Sequence, residues 1–130
     1  MGIIDSIRDS LQTLRQTVAT DDNHRREYLR RESQIGATLF GPIPAGVTRD
    51  FFCLDETTWV WHESWVDADG QTQHVSTRYD VYPNTIIKTQ NGQPMPMTVQ
   101  ELENFTKAVS AYYPLVAQQV YGVELQPAYR

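Results

Sequence analysis

The chain has 130 residues, 40% of them hydrophobic and 21% charged, a natural length for one domain with its own core. Its net charge of −5 is uneven: six arginines face five acidic residues through Arg31, and five basic face eleven acidic residues from Glu32 onward. An acidic body repels phosphate backbones, the single Cys53 excludes an intramolecular disulfide, and no stretch approaches the ~20 apolar residues of a membrane span.

Residues Ile3 to Val18 carry the clearest helical period. Ile4, Ile7, Leu11, Leu14 and Val18 recur at alternating spacings of three and four and fall on one stripe. A stripe this narrow suits a helix–helix seam, yet it is too short for a free coiled coil. The helix must therefore dock on the body or on a second copy of the chain. The amino-terminal stretch has no basic region followed by an apolar run, so the expected location is cytoplasmic. Met1 to Ser6 matches the N-myristoylation pattern at Gly2, a motif with only two constrained positions.

Thr20 to His24 interrupts the pattern, and Asp21 or Asp22 can cap a second helix from His24 to Ile35. Its apolar strip is thin, made of Tyr28, Leu29 and Ile35 together with Glu32. Arg25, Arg26, Arg30 and Arg31 read as a solvated face. Glycines and prolines punctuate residues 36–48, a loop separating the helical segment 1–35 from a core domain at 49–122, with a tail at 123–130.

The core domain opens with a strand from Arg49 to Asp55, placing Phe51, Cys53 and Asp55 on one face. A second strand, Thr57 to Val66, alternates so that Trp59, Trp61, Glu63 and Trp65 share a face. All three tryptophans of the chain then lie on one side of one strand. Asp67 to Gly70 forms a turn into a third strand ending near Val81. A turn centred on Ala68-Asp69 sets His62 opposite Val75, with His74 diagonal to it. Thr85 to Gln90 is a fourth strand, and Asn91-Gly92 is a strong hairpin signal leading to a short edge strand interrupted by Pro94 and Pro96.

Thr98 and Glu101 fit a capping box, with Met97 and Leu102 placed as a hydrophobic staple. Leu102, Phe105, Val109, Tyr112, Val116 and Val120 form the buried stripe of a long helix that stops at Gly122 and should kink before Pro114. On this reading Leu102→Asp would unfold the domain. The expected fold is α+β: an antiparallel sheet of four to five strands, a long kinked carboxy-terminal helix on one face, and two amino-terminal helices.

No motif names a chemistry or a family. There is no nucleophile elbow, phosphate loop or metal-ligand spacing, so no catalytic residue, cofactor or metal is assigned. Cys53, between Phe52 and Leu54, reads as a buried small hydrophobe. The leading expectation is a non-catalytic protein-interaction module that forms a homo-oligomer through Ile4, Ile7, Leu11, Leu14 and Val18. The alternative is a small-molecule-binding or enzymatic domain using Trp59, Trp61, Glu63 and Trp65, with Arg78 or Lys88 compensating the carboxylate. Neither nucleic acid nor a membrane span is expected.

Overall fold

The computed structural model describes residues 11–16 and 22–123. Residues 11–16 are helical (α1), followed by α2 (Asp22–Ala37), a 3-10 turn (Thr38–Phe40), β1 (Val47–Cys53), β2 (Thr58–Val66), β3 (Thr72–Val81), β4 (Ile86–Gln90), β5 (Gln93–Met95) and α3 (Val99–Tyr121). The strands form one five-stranded antiparallel sheet, as expected of the α+β fold, and they lie in chain order as a meander.

Local chemistry explains the turns. Asn91 and Gly92 have φ of 48° and 82°, the positive values a two-residue hairpin needs to match strand twist. Between β2 and β3, the Asp67 carboxylate accepts the N–H groups of Asp69 and Gln71, each at 2.9 Å. Those bonds hold its carboxyl below the ordinary value, the Gln71 N–H first. This loop runs from Asp67 to Gln71, one residue longer than a turn centred on Ala68-Asp69. The register is accordingly shifted by one: His62 faces Ser76, and His74 faces Ser64. Even and odd faces stay separate across the pair, which the expected register would have mixed.

Strand β1 stops at Cys53, two residues short of the expected end. Asp55 leaves the ladder because its side chain caps the following turn, accepting the Thr57 N–H at 2.9 Å. In register, Phe51 lies opposite Trp61 and Cys53 opposite Trp59, so β1 and β2 contribute to one inner face. Helix α3 covers that face with Phe105, Ala108, Tyr112, Tyr113, Val116, Ala117 and Val120.

Helix α3 has the expected ends. The Thr98 hydroxyl accepts the Glu101 N–H at 3.0 Å, and Gly122 takes φ 69° while its N–H bonds the Ala117 and Gln118 carbonyls. The helix runs through Pro114 to Tyr121. Leu102 departs from the expected stripe: it is 42% exposed, because in the first turn of α3 Glu101 is the residue turned to the sheet, bonding Tyr79 and Lys88, and Ala108, Tyr113 and Ala117 are buried further along. Leu102→Asp therefore tests solubility of that surface rather than the fold.

Gly36 is a helical residue of α2, not the start of a loop. A Cβ there would stand 2.0 Å from the Phe51 carbonyl oxygen, so α2 lies on the backbone of β1 at a distance only glycine permits. The irregular connection shrinks to residues 41–46. Of the predicted amino-terminal seam, Leu11 is fully buried in this chain's own core, and Leu14 is half-buried. Gly2, Ile4, Ile7 and Val18 lie outside the described residues. No helix among the described residues is long and apolar enough to cross a membrane.

Candidate ligand-binding groove

The three tryptophans share one face, as two-residue periodicity requires, but their surroundings change along β2. Trp59 is 2% exposed and belongs to the core, 5.0 Å from the Tyr112 ring and 5.2 Å from Phe51. Trp61 is half-buried and held on two sides, by the Phe40 ring at 4.4 Å and by the Arg49 guanidinium at 4.9 Å over its face. Trp65 is also half-buried, and its ring has no aromatic, cationic or hydrogen-bonding partner among the described residues. One ring is sealed, the next clamped and the last open.

The open end borders a groove of about 500 Å³ between the sheet and the first turns of α3. Trp61, Trp65, Phe40 and Phe105 supply apolar walls, and Val75 and Thr77 lie on the β3 side. Two carboxylates, Glu63 and Glu101, reach it, and both are compensated. Arg49 donates from Nε to Glu63 at 3.0 Å, across the β1–β2 register pair these residues form. It also reaches the Ala37 and Gly41 carbonyls, each at 3.4 Å. Lys88 pairs with Glu101 at 2.7 Å, and the Tyr79 hydroxyl donates to the same carboxylate at 3.0 Å.

Neither residue expected to compensate Glu63 does so. Lys88 is engaged with Glu101, and Arg78 bonds Asp80 on the opposite sheet face at 3.0 Å. The partner that sequence reasoning missed, Arg49, was legible from parity: it shares the odd face of β1 with Phe51 and Cys53. At the rim, the Gln100 amide donates to the Asn104 side-chain carbonyl at 3.1 Å, an i, i+4 pair on α3.

The opposite sheet face carries the histidines. His62 and His74 stack with centroids 5.7 Å apart, and His62 Nδ1 lies 4.0 Å from Asp50. This is cross-strand pairing at a solvated surface. No group of three metal-ligating side chains forms among the described residues.

A second polar assembly is buried behind α2, where the sequence reading saw only a thin strip. Glu32 is inaccessible to solvent and collects four donors. Arg15 binds it through Nε at 2.9 Å and again through Nη2, while Tyr112 and Tyr121 donate hydroxyls at 2.7 and 2.5 Å. Arg15 Nη2 also contacts the carbonyl and sulfur of Cys53, at 3.0 and 3.2 Å. A cavity of about 380 Å³ adjoins the cluster, bordered by Tyr28, Leu29, Leu54 and Tyr121. The signal that pointed here was a carboxylate on the apolar strip of an amphipathic helix.

The cluster makes the fold sensitive to base. Burial pushes the Cys53 thiol up to about 11, and burial likewise raises the phenols of Tyr112 and Tyr121, assisted by the Glu32 charge. A raised folded-state value contributes stability that is complete below the unfolded value and fades as pH climbs past it. Stability should hold up to about pH 8.5 and then fall toward pH 11, first as the thiol and then as the phenols deprotonate on unfolding. Urea midpoints across that range check this, and Cys53→Ala should delay the onset of the decline.

No protein-family model, curated protein or solved structure matches the chain.

Proposed function

We propose that this protein is a non-catalytic binding module whose ligand seats in the groove beside Trp65. The observation that carries the reading is the unpartnered Trp65 ring facing a concave space of about 500 Å³ walled by other aromatic groups. Large apolar rings with polar groups at the rim are the make-up of a small-molecule site. The non-catalytic reading is supported by the two carboxylates of the groove, Glu63 and Glu101, which are both tied up in ion pairs.

Acrylamide quenching tests the accessibility on which this depends. Trp65→Phe should remove the most readily quenched part of the emission and leave that of the clamped Trp61 and the sealed Trp59. Steep quenching that survives the substitution unchanged would end the proposal.

One observation favours protein association as a second reading. Tyr82, Val99 and Leu102 are 52%, 75% and 42% exposed and gather where the β3–β4 turn meets the start of α3. A homodimer through this patch would replace the seam expected from Ile4 to Val18, whose Leu11 is already spent on the core. Sedimentation over a concentration series should then show a dimer that Val99→Lys dissolves; a monomer throughout would dismiss it.

A further inference from the structure

Resting on the groove reading above, we propose that the ligand is an uncharged ring-shaped polyol, a neutral sugar, laid against the open face of Trp65. Charge excludes the other small-molecule classes in turn. An anion would meet Glu63 and Glu101, and the cations nearby, Arg49 and Lys88, are already committed to those two carboxylates. A cation finds no uncompensated acid beside it and would rest on the Trp65 ring alone, since the Trp61 face already holds the Arg49 guanidinium. A wholly apolar molecule would strip water from both carboxylates and from the amides at the rim, with no hydrogen bonds in return.

A neutral sugar matches what remains. The C–H face of a pyranose is apolar and broad enough to cover an indole, and its hydroxyls donate and accept equally. The rim answers in kind. Because the Gln100 Nε2 group bonds Asn104 Oδ1, the pair turns out the Gln100 carbonyl as acceptor and the Asn104 amide as donor. Gln90 lies across the groove from them and offers both functions again, with the largely buried Thr77 hydroxyl beside it. The ligand's edge is thus served by side chains that carry no charge, while its face is served by Trp65.

The three indole N–H signals of a 15N-labelled sample, assigned by single Trp→Phe variants, read the site directly. Neutral disaccharides (cellobiose, maltose, lactose and N,N′-diacetylchitobiose) would be titrated beside tetramethylammonium and acetate. At least one sugar should shift the Trp65 signal saturably while Trp59 stays fixed, and the charged probes should leave both in place. Trp65→Ala should abolish binding seen by rim backbone signals, and Asn104→Ala should weaken it about tenfold. A shift by tetramethylammonium or acetate without one by any sugar overturns the ligand class while leaving the groove reading intact. Silence from every sugar, or sugar binding that survives Trp65→Ala, also overturns it. Failure of the quenching experiment is the separate result that would remove the groove itself.

Discussion

Glu32→Ala is expected to destabilise the protein by about 3–5 kcal/mol, the range for removing one partner of a buried ion pair. The size follows from what is left behind. Arg15 would keep its guanidinium in a largely buried place without an anion, and Tyr112 and Tyr121 would lose the acceptor for their hydroxyls. Adding Arg15→Met to the alanine variant should recover part of the loss, because the stranded charge is then removed as well. Tyr121→Phe alone should cost about 1 kcal/mol, since Glu32 keeps its other donors. Urea denaturation of the four proteins gives the comparison. A Glu32→Ala cost below about 1 kcal/mol would mean that water reaches the cluster and that the pair is no keystone.

The second large effect separates two tryptophans on one strand. Trp59→Ala should cost about 3–5 kcal/mol, as deletion of a sealed aromatic ring does. It would open a hole among Phe51, Phe105, Tyr112 and Tyr113, whose rings all meet the indole within 6.1 Å. Trp65→Ala should cost less, about 1–2 kcal/mol, because its ring is only partly buried and meets no aromatic or cationic group among the described residues. The contrast matters more than either value. Equal costs would place Trp65 in the core as well and withdraw the platform on which the ligand proposal stands.

Periodic and local signals in the chain carried the architecture. Alternation from Thr58 to Val66 assigned the indoles to one face, Asn91-Gly92 marked a hairpin, and Thr98 with Gly122 bounded α3, because each depends on neighbours a few residues away. What escaped depends on distance in sequence. Glu32 meets Arg15, Tyr112 and Tyr121 across separations of 17, 80 and 89 residues, and nothing local distinguishes it from a solvated helix carboxylate except its place on the strip. Gly36 resembles a breaker for the same reason: a glycine that admits a neighbouring backbone looks, in one dimension, like one that ends a helix. The register of His62 failed by a single position, since turn residues from Asp67 to Gly70 do not announce that Gln71 also belongs to the loop. Within the groove, parity placed Trp61, Glu63 and Trp65 together. It could not say that the ring nearest the core would be sealed and the farthest left open, which is decided by where α3 lies.

The fastening of Arg49 has a consequence for selectivity. One guanidinium is anchored to Glu63, to the Trp61 face and to the backbone of Ala37 and Gly41, so that side of the recess is set before anything arrives. A pre-shaped receptor spends little ordering entropy on its guest and has little freedom to adapt to a poor one. Such a wall sorts candidates by contour, so the range of molecules accepted should be narrow and their arrival should leave the scaffold almost unmoved.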